Sequence, residues 1–322
     1  LDAARDIATG SVVPYRGQLA GNGNSWVRIV IADGLPAGLI WDGSELFAIE
    51  RPGNNIAGSG SAIIYRLADA FIEPGSMTCG AGDSLTNGGA IYKSLAVELS
   101  AVSAQAAAAG TEIYIGAVGD AEFAGIHGPG SKEAILQRLS NVDGIFSAQV
   151  GVQIYLQDPL VQVFTDSGAA SYPFSDTVIA GDLLDELAAY RNSQPNQYAN
   201  GLTHLWTGKD VEGTGGNRST VGIAFSGGIG QGGGLVLCSR RFGAGLSEGR
   251  GNPTFDSLIA AHEIGHNFGA PHDGTTDSAC EAVTGNFIMA ASLSGATVSQ
   301  FSQCSLDQMA DHIAGASCIR AM

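Results

Sequence analysis

The amino-acid sequence predicts an α+β protein: a β-rich N-terminal part, then a sheet with helices packed on it. Three observations carry this. Short apolar runs bounded by turn residues fill about the first 90 residues. The remainder alternates such runs with longer segments whose apolar residues recur every three or four positions. Between them lies 101–110, a small, uncharged, Ala-rich stretch that suits an interdomain linker and a proteolysis site. With 322 residues and 44% hydrophobic content, the chain is long enough for about two domains and a sizeable core.

In chain order, Trp26–Ile31 reads as a strand. Leu39–Trp41 and Leu46–Ile49 flank Asp42-Gly43, a tight-turn signal, and Ala62–Leu67 is a further strand. These assign 1–100 to a β-rich domain. The linker 101–110 also has the composition of a short helix, Ala being the best helix former. Within 111–322, Glu112–Val118 is a strand, and Ser131–Gln149 is a helix with Ile135, Leu136, Leu139 and Val142 on one face. Val152–Leu156 follows as a strand. Asp176–Arg191 is a helix with Leu183, Leu184, Leu187 and Ala188 at helical spacing. Leu202–Trp206 and Val221–Phe225 are strands, and Phe255–Phe268 and about Ser305–Ala314 are helices.

Charge narrows the function. The formal net charge is −16, which argues against phosphate-backbone binding and a polybasic membrane anchor. No apolar run approaches ~18 residues, so no membrane-spanning helix is expected. Charged residues are 14% against the usual ~25%, and the 47 glycines point to long, turn-rich loops. The chain starts at Leu1 without a leader, as expected of a mature secreted chain or a trimmed one. Lysine occurs only at Lys93, Lys132 and Lys209; an acidic, Lys-poor exterior suits a salty external medium. Of five cysteines, four can form two disulfides in any of three pairings, which leaves one thiol to explain.

The chemistry sits in His262-Glu263-Ile264-Gly265-His266-Asn267-Phe268-Gly269-Ala270-Pro271-His272-Asp273. His262 and His266 are four apart on a helix and share a face, so both imidazoles can bind one zinc ion. Glu263 is rotated ~100° from His262, too far to be an equal ligand, but its carboxylate can reach the open coordination position. Gly269 lets the chain leave the helix with positive φ and return His272 as third ligand. Three protein ligands plus water is the catalytic zinc arrangement.

This pattern, HExxHxxGxxH, resembles that of the metzincin zinc endopeptidases. Asp273 after the third histidine is similar to the adamalysin (reprolysin) branch. Asn286–Ala290 resembles the Met-turn, with Met289 beneath the zinc histidines; Ala291 stands where astacins and serralysins carry Tyr. The glycine run 227–234 lacks the acidic position of serralysin calcium repeats. Phe301–Ser305 is similar to the FSxCS segment of adamalysins, and Leu205–Gly208 and Thr220–Ala224 look like their core and edge strands. The resemblance covers about 110–322 and is strongest from 202 onward. It implies a metzincin catalytic domain in which Glu263 activates a zinc-bound water to hydrolyse peptide bonds. Protein or peptide substrates would bind extended beside Gly222, Ile223 and Ala224. It further implies pairing of Cys238 with Cys318 and of Cys280 with Cys304, and structural roles for Asp273, Gly269 and Met289. Glu112 matches a calcium-ligating Glu of some adamalysins, but the second acidic ligand is not evident, so calcium rests on Glu112 alone.

The remaining thiol, Cys79, lies in Pro74–Asp83, and Cys79-Gly80 with Asp83 resembles the cysteine switch of metzincin propeptides. A thiolate is a strong fourth zinc ligand and displaces the catalytic water. On this reading 1–100 is an inhibitory prodomain, 101–110 the activation region and 111–322 a secreted, monomeric protease domain. An intermolecular disulfide or an inert buried thiol are the other readings of Cys79. Two rival functions remain at this stage: a non-catalytic binding protein on the same scaffold, and an active protease whose N-terminal domain binds substrate. Among the other histidines, His127 is expected in an exposed loop, His204 in the core and His312 on a solvated helix face. Asp273 is expected to hold local backbone.

Overall fold

The computed structural model describes residues 2–3, 13–51, 61–70, 76–80, 110–155, 161–213, 215–226, 236–293 and 299–322. The linker 101–109, Asp83, Lys93 and the glycine run 227–234 lie outside the described residues. The N-terminal part is an antiparallel sheet in sequence order: β1 (Asp2–Ala3), β2 (Val13–Leu19), β3 (Asn22–Ala32), β4 (Leu35–Trp41), β5 (Leu46–Glu50) and β6 (Ile63–Arg66). The Asp42-Gly43 turn forms because the Asp42 carboxylate accepts from the Ser44 and Glu45 amides, both at 2.8 Å, and Gly43 takes a φ of 100°. Residues alternate in burial along β5, as a sheet with one covered face requires.

The next strand, β7 (Met77–Cys79), leaves that sheet and joins a second one. The second sheet contains β8 (Thr111–Gly119), β9 (Val152–Tyr155), β10 (Val161–Val163), β11 (Leu202–Thr207), β12 (Thr220–Ala224), β13 (Ala244–Glu248), β14 (Ser292–Leu293) and β15 (Arg320–Ala321). Its order is β10-β8-β11-β13-β12-β7-β14, with β9 and β15 also paired to β8. From β10 to β13 the strands are parallel, and β12 then runs antiparallel to β13. The helices are α1 (Ala121–His127), α2 (Ser131–Gln149), α3 (Ala180–Ser193), α4 (Pro195–Tyr198), α5 (Pro253–Asn267) and α6 (Gln303–Gly315). The architecture is therefore a mixed α+β catalytic fold preceded by an antiparallel β-sheet domain.

Helix α3 begins four residues later than its apolar spacing predicts. Residues 178–180 are instead paired with Glu212: its amide donates to Val178 O at 2.7 Å and its carbonyl accepts from Ala180 N at 2.9 Å. That ladder keeps the segment extended. Strand β13, near the centre of the sheet, was not evident in the sequence, because Ala-Gly-Leu-Ser-Glu carries a single large apolar residue although all five positions are buried.

Helix α5, which carries the two HExxH histidines, is fixed at both ends. Asn252 caps it, its side-chain oxygen accepting from Thr254 N at 2.8 Å and Phe255 N at 3.3 Å, with Pro253 in the first turn. A buried ion pair, Arg138 to Asp256 at 2.7 Å, ties its first turn to α2. At its C-terminus Ala270 N donates to Gly265 O at 3.0 Å and Gly269 N to His266 O at 2.9 Å, a Schellman motif with Gly269 at φ 98°. Disulfides join Cys238 to Cys318 and Cys280 to Cys304. Among the described residues no helix is long and apolar enough to cross a membrane.

Candidate metal centre

The chain reversal at Gly269 returns His272 to the face of α5 that holds His262 and His266. Their Nε2 atoms converge: His262 to His272 at 3.2 Å and His266 to His272 at 3.1 Å. The other ring nitrogens face carbonyl oxygens, His262 Nδ1 to Ile288 O at 2.6 Å and His266 Nδ1 to Ala270 O at 2.8 Å. A carbonyl only accepts, so the hydrogen-bond network assigns the proton to Nδ1 in both rings and leaves Nε2 as a lone pair. Burial keeps the imidazoles neutral, lowering His262 to about 4, His272 to about 3 and His266 well below the usual value. Both of these lone pairs face His272 Nε2. The donor set therefore fits a metal ion, and three imidazoles with a thiol suit zinc.

The thiol is Cys79. Its Sγ donates to Glu263 Oε2 at 3.5 Å and lies 3.6 Å from His266 Nε2. The ligating atoms of Cys79, His262, His266 and His272 all fall within 4.8 Å of one another, the one such group of three or more among the described residues. Glu112 belongs to no such group there. Strand β7 reaches this position by pairing parallel to β12 on one side and antiparallel to β14 on the other. Of the β12 residues, β7 pairs with Thr220 and Gly222, Gly222 standing opposite Cys79, whereas Ile223 and Ala224 are paired with β13.

Glu263 is buried, and desolvation raises its carboxyl to about 8 despite the hydrogen bond from Cys79, which lowers it. It fits only because residue 222 is glycine: a Cβ there would meet Oε1 at 2.6 Å. Met289 is likewise seated against a glycine, since a Cβ at 265 would meet its sulfur at 2.6 Å. The Met289 carbonyl accepts from Asp273 N at 2.8 Å, which ties the Met-turn to the segment that brings in His272. The Asp273 carboxylate holds hydroxyls rather than backbone, accepting from Ser302 at 2.8 Å and Ser305 at 3.0 Å at the start of α6.

His204 packs in the core against Trp206, ring centroids 4.5 Å apart, with Ser247 at 2.9 Å. Two other histidines depart from expectation. His127 ends α1 and is half-buried, stacked near Phe123 with Nε2 2.7 Å from Gly249 O. His312 lies against Gly269 instead of on a solvated face; a Cβ at 269 would meet its ring at 2.1 Å. Asn267 was missed. Its side chain donates to Phe225 O at 2.8 Å and Ala244 O at 2.9 Å, fastening α5 to β12 and β13. Spacing places Asn267 one turn beyond Glu263, but its acceptors are 42 and 23 residues away, so no local signal marked them.

Fold and site together define a metzincin-like protein with a three-histidine zinc centre. Residues 129–315 match the family described as Metallo-peptidase family M12B Reprolysin-like, and the chain belongs to it. It is similar to snake venom metalloproteinase acutolysin-C of Deinagkistrodon acutus, 28% identical over 49% of this chain and 35% of that protein. It is also similar to snake venom metalloproteinase TM-1 of Protobothrops mucrosquamatus, 32% identical over 28% of this chain and 39% of that protein. The chain thus spans well under half the length of either relative. Its fold resembles that of metalloproteinase-II from Bacteroides fragilis, with a TM-score of 0.52 at 10% identity, covering 96% of this chain and 86% of that one.

Proposed function

We propose that this chain is the latent form of a secreted zinc endopeptidase, with 1–100 as inhibitory prodomain, 101–110 as activation region and 111–322 as protease domain. The observation that carries this reading is the seat of Cys79, 3.5 Å from Glu263 Oε2 and 3.6 Å from His266 Nε2, on a strand paired with the β12 edge. His262, His266 and His272 hold the zinc, and Cys79 supplies the fourth donor while the enzyme is latent. When bound, zinc supplies Lewis-acid polarisation of a carbonyl and acidification of water. Glu263 accepts the proton of the attacking water at its carboxylate and delivers it to the leaving amine. Gly222–Ala224 bind the substrate as an added strand through main-chain hydrogen bonds. Met77, Val221, Ile259 and Leu293 line a small cavity beside His262 and Glu263. Two disulfides and the venom relatives support an oxidising, extracellular setting.

The test is casein hydrolysis by the intact chain, by Cys79→Ala and by the chain freed of its N-terminal segment, each with and without a zinc chelator. The expected order is intact slowest, Cys79→Ala faster and the freed chain fastest, all activity being chelator-sensitive. Equal rates for the intact chain and Cys79→Ala would remove the thiol from the account. An inactive freed chain that holds zinc would point to a binding protein instead.

A further inference from the structure

We infer that residues 13–51 bind the remainder of the chain through an interface of their own, independent of the metal and of Cys79. Cutting the connection before Thr111 then leaves two fragments associated. The inference takes its regulatory meaning from the latent-protease reading, but the interface stands on separate observations. Strand β3 turns Trp26 and Arg28, two residues apart, toward α2. The Trp26 indole fills a notch at Gly144, where a Cβ would meet its ring carbons at 2.4 and 2.8 Å. Arg28 Nε donates to Asp143 Oδ2 at 2.6 Å, in a pair whose side chains are 10% and 5% exposed. The other Asp143 oxygen accepts from Ile154 N at 2.9 Å and Ser147 Oγ at 2.8 Å, so the carboxylate is fixed by the catalytic domain itself.

A second anchor lies at the start of the helix that carries the zinc histidines. Glu50 Oε2 accepts from Asn252 Nδ2 at 2.7 Å and Oε1 from Thr254 Oγ1 at 2.8 Å, placing a carboxylate at the N-terminus of α5. Beside it Arg51 pairs with Glu133. The contacts are complementary in charge, which fixes the register of the docked sheet. Apolar burial is continuous across the junction: Trp26, Val30, Leu39, Leu46 and Ala48 share one core cluster with Ile135, Leu136, Leu139 and Val142. One cut in the chain removes none of these contacts. Release of the N-terminal segment therefore requires dissociation of this interface as well as the cut.

To test this, a recognition sequence for a specific protease is inserted within 101–109 of the full chain. After cutting, size-exclusion chromatography is run at a series of protein concentrations. The expected result is co-elution of both fragments at the size of the uncut chain, unchanged by a zinc chelator or by Cys79→Ser. Arg28→Met combined with Glu50→Gln should weaken association about 100-fold or more, because Asp143 stays buried without its partner in the bound state. If that double variant does not accumulate folded, Gly144→Ala, which closes the Trp26 notch, takes its place and should also weaken association. Separation of the native fragments on cutting, separation caused by the chelator or Cys79→Ser alone, or undiminished association in the variants would overturn the inference. Elution does not depend on activity, so failure of the protease reading and failure of this interface are seen separately.

Discussion

Among the described residues the N-terminal part meets the catalytic domain in two places, and these are built in different ways. The sheet contact is made by side chains: Trp26 in the Gly144 notch, Arg28 on Asp143 and Glu50 at the cap of α5. The strand contact at the metal centre is three residues long and largely backbone, with Thr78 N donating to Ser219 O at 2.7 Å and Cys79 N to Ala291 O at 3.2 Å. Side chains add the Cys79 thiol, a Thr78 Oγ1 to Ser219 Oγ hydrogen bond of 3.0 Å and the apolar Met77. Backbone pairing demands little of the sequence, and so short a strand is marginal by itself. The wide contact lies along α2 and the start of α5, and the narrow one lies beside the histidine cluster.

Three experiments sharpen that division. On the proposed reading, in which the Glu263 carboxylate carries the proton and ligates nothing, Glu263→Gln should reduce the activity of the freed chain by about 10²–10⁴-fold while its zinc content stays unchanged. Rate measurements beside metal analysis check it, and loss of zinc with the activity would give Glu263 a different role. Gly144→Ala should act with opposite signs on the two regions. A helix-interior Gly-to-Ala change favours α2 by about 0.5–1 kcal/mol, whereas the overpacked indole costs the docked sheet about 1–3 kcal/mol. Calorimetry of the intact and freed chains should therefore show a lower melting temperature in the first and a higher one in the second. The smallest effect concerns acid. Burial depresses His204 to about 3, against roughly 6.5 in an unfolded chain. Its contribution is complete above about pH 6.5 and is lost progressively as the pH falls toward about 3, because the unfolded chain takes up the proton first. Between about pH 6 and 5 this costs about 1 kcal/mol, a slope that His204→Gln should remove in acid-unfolding curves. The N-terminal sheet carries no histidine, the first of the chain being His127.

The difference between the two regions also explains what the sequence disclosed. The metal centre was legible because its chemistry is local: His262, Glu263, His266, Gly269 and His272 lie within eleven residues, and helical geometry converts that spacing into one face and one turn. Helix α2 and strands β3 to β6 were legible from apolar periodicity. What escaped depends on distant partners. Glu50 meets Asn252 and Thr254 across 202 and 204 residues, and Arg28 meets Asp143 across 115. Nothing near Arg28 in the chain distinguishes it from a solvated arginine. Strand β13 escaped because small residues fill a crowded sheet interior, where Gly245 leaves space for Ala224 at 2.9 Å from a would-be Cβ. The extended form of Met77–Cys79 escaped because its partners, β12 and β14, come from opposite sides of the cleft.

That short strand has a consequence for the protein as a solute. It is bonded along both sides, to Thr220 and Gly222 of β12 and to Ser292 and Leu293 of β14. Once it departs, two unsatisfied strand edges face each other across one gap, and open edges are templates for any extended chain. A molecule from which it had departed would expose both edges to pairing with another extended chain. The short strand thus covers two edges at once while it brings its thiol to the histidine cluster.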